Sequence, residues 1–300
     1  MPFDLDDRSR ASGSAGTGSG ASVETHSGLT YRPLASAEDA AACVALQGEI
    51  WGSAFDRVPA SLLRVVTSIG GLAIGAFDPS GTLVGFVFSL TGMRNGQPIH
   101  WSHMLGVRED VRGMGVGRHL KEMQRAELLR RGISHVLWTF DPLQARNAHL
   151  NFNRLGVRLI DYVENMYGIT ASPLHHGLAT DRLVVELPTS GVATRPAVNG
   201  SNGSNGTAPV LTPFPRAGDI AVEPGEITAP TVLIEIPADL QQVMSTTPNV
   251  ATTWRLATRA SFRTAIERGY QVAGLRRDLT TNRAFYTLVA APADASPGHR

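Results

Sequence analysis

One stretch of this chain combines residue types that bind phosphate: Leu105-Gly-Val-Arg-Glu-Asp-Val-Arg-Gly-Met-Gly-Val-Gly-Arg118. Arg112, Gly115 and Gly117 stand in an R-x-x-G-x-G arrangement, with Gly113 inside it and Arg118 at its end. Small residues let the backbone bend until consecutive N–H groups point into one concavity, and a following helix adds the positive end of its dipole. Such a nest binds phosphate. A Walker loop would end in Gly-Lys-Ser/Thr, whereas Gly117 is followed by Arg118 and His119, which excludes it. A dinucleotide fingerprint starting at Gly113 meets Arg118 at its third glycine position, where close packing of helix on strand needs a small residue. An ordinary turn before a helix needs one glycine, and this loop carries three alternating ones between arginines.

The elements that must position this loop follow from hydrophobic periodicity. Segment 29–34 alternates like a strand, and 37–51 has helical spacing, opened by Ser36 as N-cap and closed near Gly52. A shorter helix is expected over 59–68, since proline suits a first helical turn. Strands are expected over 71–77, 82–93 and 99–107, separated by the turn sequences DPSG and RNGQ. The helix at 116–131 ends at Gly132, and strand 133–140, helix 148–155 closed by Gly156, and strands 157–163 and 182–187 follow. The order βααβββαβαββ is a mixed α/β domain.

In that context the loop matches a third phosphate-binding type, the pyrophosphate loop of acyl-CoA users. With the V-x-x-x-x-R-G-x-G-x-G spacing after a strand, residues 29–187 resemble the GNAT superfamily of CoA-dependent N-acyltransferases. The runs WTFDPLQARNAHLNFNRLG and NMYGI…GLATDRLVVE look like a bacterial branch of it. The resemblance implies a central, mostly antiparallel mixed sheet with strands 99–107 and 133–140 splayed around an acyl thioester. It implies acetyl-CoA as donor, with Leu105, Gly106 and Val107 on the pantetheine arm and Arg112, Gly113, Met114, Gly115, Val116, Gly117 and Arg118 around the pyrophosphate. It also suggests that Asn147 bonds the pantetheine amides.

Acyl transfer to an amine needs a neutral nucleophile, and an alkyl amine of pKa about 10.4 is neutral only about 0.04% of the time at pH 7. A base is therefore useful, with an oxyanion donor and an acid for the thiolate. The family commonly uses a tyrosine four residues before the glycine that closes this helix; here that position is Phe152, which has no proton to give. Tyr167 is the first substitute candidate and Tyr162 the second. For the base, His103 lies on the strand beside the thioester, sharing a face with Trp101, Leu105 and Val107 by simple alternation, and is equally readable as a packed imidazole. Asp141 ends the adjacent strand and, preceding Pro142, serves equally as an N-cap. Asn147 and Asn151, four apart, are expected on one helix face, where Asn151 contacts substrate or solvent. Asp181 and Arg182 hold a polar acceptor or form a salt-bridged strand entrance. His175 and His176 lack a third ligand at suitable spacing, so no metal is expected. A CoA-binding sensor or assembly module without catalysis, a longer acyl chain, and a hydroxyl acceptor are the alternatives.

Composition bounds the rest. Three hundred residues with 27 basic and 26 acidic side chains give a net charge of +1, so no global field recruits nucleic acid or an acidic membrane. One cysteine, Cys43, rules out an internal disulfide. No long apolar run is present, and the expected location is the cytoplasm. Lys121 is the only lysine, which is attributed to coding bias and given no mechanistic weight. Residues 1–28 read as a disordered tail, 29–187 as the acyltransferase domain, 188–230 as a flexible linker with NGSNGSNGT, and 231–291 as a βαββ unit. That unit is too small to be more than marginally stable alone and is expected to dock onto the main domain or a second subunit, leaving a homodimer open. The acceptor is expected to be a small-molecule or peptide amine.

Overall fold

The alternating and β-branched segments assemble into two sheets that share a core. The computed structural model describes residues 23–291 save 54, 95, 169–176, 192–207 and 217–218. In chain order the first part contains β1 (Glu24–His26), β2 (Leu29–Pro33), α1 (Ala37–Trp51), α2 (Ala60–Ser68), β3 (Leu72–Phe77), β4 (Leu83–Arg94) and β5 (Gln97–Val107). It continues with α3 (Val116–Arg130), β6 (His135–Phe140), α4 (Ala145–Ala148), β7 (Arg158–Val163) and β8 (Arg182–Pro188). The strands lie in the order β1-β2-β3-β4-β5-β6-β8-β7, antiparallel throughout except for the parallel pair β5 and β6. This is a mixed α/β fold on a large, mostly antiparallel sheet.

Local sequence explains the ends of the helices. Ser36 caps α1 by accepting from the Asp39 N–H, while the Asp39 carboxylate accepts from the Ser36 N–H in a reciprocal box. That carboxylate is also gripped by Arg32 through two bonds of 2.8 Å, which ties the helix start to β2. The helices then cover opposite faces of the sheet. Cys43, Leu46, Leu63 and Val66 of α1 and α2 bury Phe86, Phe88 and Met104, while Val116, Leu120 and Met123 of α3 bury Ile74, Val84 and Val87.

The second sheet is built from β9 (Val210–Leu211), β10 (Thr231–Pro237), β11 (Tyr270–Asp278) and β12 (Arg283–Ala290), in the order β11-β12-β10-β9. Between β10 and β11 run α5 (Leu240–Thr246), capped by Asp239, and α6 (Pro248–Glu267). Trp254, Phe262 and Tyr286 from this part and Trp138, Phe140, Phe152 and Tyr162 from the first belong to one buried cluster. Polar clasps cross the same boundary. Arg255, 1% exposed, binds both carboxylate oxygens of Asp141 at 2.8 and 2.7 Å. Arg259 does the same to Asp181, at 2.8 Å twice. The Asn153 amide exchanges two hydrogen bonds with the backbone of Leu275, and the Tyr286 hydroxyl donates to the Pro142 carbonyl at 2.7 Å. The βαββ unit is therefore docked on the main domain.

Two segments differ from the sequence expectation. Residues 24–26, read as part of the tail, form a hairpin with β2, because Ser27 and Gly28 at φ 52° and 76° make a tight turn and the ladder needs no apolar side chain. Residues 208–230, read as linker, contribute β9, whose Val210 and Leu211 are buried and pair in parallel with β10. Two apolar residues amid prolines were too short a signal. Residues 1–22 of the tail and 192–207 of the linker lie outside the described residues.

Removing the Arg255 guanidinium while keeping most of its volume, in Arg255→Met, leaves the Asp141 carboxylate with the Leu143 N–H and, as its nearest counter-charge, Arg182 at 3.8 Å. The expected loss is about 3 kcal/mol, the low end for breaking a buried pair. Urea unfolding measures it, and a loss below about 0.5 kcal/mol would mean that the clasp is not structural.

Candidate functional site

Strands β5 and β6 separate almost as soon as they meet. Their parallel ladder has two rungs, His100↔Val136 and Trp101↔Leu137, and residues 102–107 have no partner on that side. The other edge of β5 stays paired with β4 down to Gly85↔Val107. A wedge therefore opens toward the carboxyl ends of the two strands, with backbone polar groups of β5 available along one wall. This is the splayed pair that the resemblance implied.

A β-bulge reshapes that wall. The register steps from Phe88↔Met104 to Ser89↔Ser102, so His103 is the extra residue on β5. The bulge overturns the expectation that Trp101, His103, Leu105 and Val107 share a face. Ser102, Leu105 and Val107 face α3, whereas Met104 and Gly106 face α1 and His103 lies edge-on to Phe88, 6.2 Å between ring centres. Desolvation by the surrounding apolar groups lowers the His103 pKa below its ordinary value, which favours the neutral imidazole.

The glycine-rich loop follows β5 directly. After a short 3-10 turn at Glu109–Val111, Gly113 and Gly115 take φ of +87° and +83°, values that L side chains adopt only with strain. A β-carbon at either would meet no heavy atom within 4 Å, so the space above both is open. Arg112 donates to the Val107 carbonyl at 3.1 Å and pins the loop to the strand end. Gly115 is the N-cap of α3 and offers no side chain; the first backbone bond into the helix is from the His119 N–H to the Gly115 carbonyl. The N–H groups of Val116, Gly117 and Arg118 are left without acceptors among the described residues, as expected at a helix start. Arg118 makes only a surface pair with Glu122, of small net worth. Arg112, Gly113, Met114, Gly115, Val116, Gly117 and Arg118 thus form one open, electropositive concavity beside the wedge.

Other predicted residues fare differently. Asn147 is exposed on α4, and the exposed Tyr167 has its hydroxyl 3.3 Å from Thr139 Oγ1 on β6. Asp141, proposed as a base, is instead bound by Arg255 and caps the turn at Leu143 N–H, 2.9 Å away. Asp181, proposed to hold substrate, is fully buried and accepts from Arg259, Tyr162 and the Asn165 N–H. Burial alone would raise its pKa; those bonds overcome this and lower it. Tyr162, whose hydroxyl is spent on Asp181, has its pKa driven well up by burial and is no acid. Arg182 is largely buried, donating to the Asp181 carbonyl beneath Tyr167. It belongs to the strand entrance. Asn151 is buried and accepts from Trp138 Nε1 at 3.1 Å. The shared face failed because α4 continues as a π-helix over His149–Leu155, which changes the angular spacing of positions four apart. His175 and His176 lie outside the described residues.

Phe152 is 1% exposed and packs edge-to-face against Phe140 and Tyr286. Cys43 is buried, and desolvation pushes its thiol up to about 12, far from a thiolate nucleophile. Among the described residues, no group of three or more His, Cys, Asp or Glu is placed to hold a metal, and no helix is long and apolar enough to cross a membrane. Sequence reading missed a polar cluster at the root of the wedge, where Lys121 of α3 meets Ser102, Gln124 and Trp138. The signal was present in the chain's single lysine.

An NMR titration of the histidine resonances should place the His103 midpoint below the ordinary value of about 6.5. A midpoint at or above that value would remove it as a neutral base at pH 7.

No family model and no curated protein matches the chain. It is similar to solved structures that it covers almost completely and that span little more than half of it. The ribosomal-protein-S18-alanine N-acetyltransferase from Escherichia coli matches at TM-score 0.44 and 19% identity, over 59% of this chain and 97% of that one. A GNAT superfamily phosphinothricin acetyltransferase from Sinorhizobium meliloti, solved with AcCoA, matches at 0.44 and 18%, over 57% and 95%. A GNAT family acetyltransferase from Streptococcus pneumoniae matches at 0.44 and 16%, over 53% and 98%. All three are named as acetyltransferases, two of them as members of the GNAT family or superfamily.

Proposed function

We propose that this protein binds acetyl-CoA, or another short acyl-CoA, and transfers the acyl group to an amine by direct attack. The observation that carries the reading is the adjacency of two features: a β5–β6 wedge with an unpaired strand edge, and an open nest of N–H donors flanked by Arg112 and Arg118. A pyrophosphate suits the nest, since an uncapped helix start with no side chain over it lets backbone N–H groups approach phosphate oxygens closely. A pantetheine arm carries amides that suit an exposed strand edge, with Leu105, Gly106 and Val107 as the wall and the exposed Asn147 on the helix opposite.

Within that arrangement His103 is the base, at the bulge on the wedge wall, and Tyr167 beside Thr139 is the exposed hydroxyl nearest the end of β6. The amine attacks the thioester carbonyl, its proton leaves to a base, and the C–S bond breaks to release the thiolate. Asp141 and Asp181 take no part, being ion-paired to α6. The acceptor is a small-molecule or peptide amine, and the reading places the protein in the cytoplasm.

A second reading, a CoA-binding module without catalysis, is favoured by one observation: Phe152 occupies the usual acid position and is locked into the aromatic core. Release of free thiol from acetyl-CoA in the presence of an amine panel distinguishes the two, since the module binds and does not turn over.

Calorimetric titration with CoA, acetyl-CoA and NAD in parallel tests the shared premise: the CoA species are expected to bind and raise the melting temperature, and NAD is not. Gly115→Val should weaken CoA binding by at least about tenfold, because valine projects into the nest and a β-branched residue at φ +83° strains the loop. An unfolded variant is recognised by its circular dichroism. Unchanged affinity in a folded variant would sink the CoA assignment.

A further inference from the structure

Lys121 is the only lysine of the chain and is 3% exposed. Its ammonium nitrogen donates to Ser102 Oγ at 2.7 Å and to Gln124 Oε1 at 3.3 Å, and it lies 3.7 Å from the centre of the Trp138 ring. Ser102 and Trp138 have a particular place in the fold. They are the first residues of β5 and β6 beyond the last rung, Trp101↔Leu137, so Lys121 bridges the two strands at the point where they part. Gln124 is fully buried and its Nε2 has no hydrogen-bond partner, which leaves the cluster one donor in reserve.

The surroundings hold no counter-charge. From β5 comes His100, pushed down to about 4 chiefly by burial, and so neutral. From β4 comes Ser89, bonded to His100; from β6, Trp138; from the π-helix, Asn151 behind the indole. Among the described residues no carboxylate pairs with Lys121. Arginine, always charged, serves everywhere else in this chain, and a lysine differs from it chiefly in being able to lose its proton when desolvated. Burial accordingly lowers the Lys121 pKa well below its ordinary value.

We propose that Ser102 and Lys121 form the proton relay at the root of the β5–β6 wedge. This rests on the acyl-transfer reading and specifies how the proton moves. The attacking nitrogen bonds to the thioester carbon and gives up a proton to the Ser102 hydroxyl, whose own proton passes to the neutral form of the Lys121 amine. As the C–S bond breaks, the same route runs backward and the thiolate takes the proton, so the relay ends as it began. Ser102, just beyond the last rung, is the member of the pair that takes the substrate's proton; Lys121 acts through it and is a positioning residue. The relay supplies the proton that Phe152 cannot.

The single lysine makes the test direct, because the full-length protein labelled with [ε-13C]lysine gives one lysine resonance. A pH titration should place the Lys121 midpoint well below the ordinary value of about 10.4. Saturating CoA should move it further down, by roughly half a unit or more, as the arm expels water from the wedge. The probe 3′,5′-ADP, which carries phosphates and no thiol arm, should leave it in place. In Ser102→Ala, CoA should still bind and the shift should shrink. A midpoint near 10.4, or calorimetrically verified CoA binding that leaves the resonance unmoved, would overturn the relay. Absence of CoA binding by calorimetry would instead overturn the acyl-transfer reading and the relay with it.

Discussion

The early end of the β5–β6 ladder is the constraint on which the architecture turns. Two parallel strands that pair for only two rungs leave a row of backbone donors and acceptors unsatisfied, and buried groups of that kind are costly unless something meets them. A ligand whose own amides can pair with a strand edge would meet them on β5. At the root, just beyond the last rung, Lys121, Ser102 and Trp138 join the strands by side chains instead. The bulge at His103 belongs to the same device: one extra residue turns Ser102 toward α3 and re-aims the imidazole.

A sheet opened down its middle needs bracing from outside, and the second sheet supplies it. β6, β7 and β8 lie beyond the wedge; α6 and β11 pack against β7, and β11 also against the π-helix that follows β6. Apolar burial of Trp254, Phe262 and Tyr286 supplies most of the attachment. The Arg255–Asp141 and Arg259–Asp181 pairs contribute less net energy than their geometry suggests, since desolvation offsets the attraction, but they fix the docking register: a shift strands three buried charges, Asp141, Asp181 and Arg255, at once. Both aspartates stand at strand ends, Asp141 just after β6 and Asp181 just before β8, and are held there in ion pairs with α6.

Much of this was legible in the sequence, for reasons that can be named. Helices α1 to α3 were marked by Ser36, Pro59 and Gly132 at their ends, and β3 to β6 by β-branched runs between turn sequences, signals that need only local information. The nest was legible because glycines at 113, 115 and 117 constrain the backbone directly. What escaped depended on contacts remote in sequence. Asp141 was read as a candidate base or N-cap and Asp181 as a substrate contact or strand-entrance ion pair, because Arg255 and Arg259, 114 and 78 residues away, announce nothing locally. The π-helix and the bulge each add one residue to a regular repeat, so face assignments for Asn151 and His103 that were correct for ideal geometry failed in the real one. Lys121 was visible as an oddity of composition, and only its three-dimensional neighbours give that oddity a meaning.

The central claim is that the wedge and the nest form one elongated CoA site. A crystal structure of the protein grown with CoA tests it most directly. The account predicts the pantetheine arm between β5 and β6, running antiparallel to or along the edge at residues 105–107, with the pyrophosphate against the N–H groups of residues 113–118 and the thiol near Ser102. CoA bound on another surface, or a wedge that closes into a continuous β5–β6 ladder with the nest empty, would contradict it.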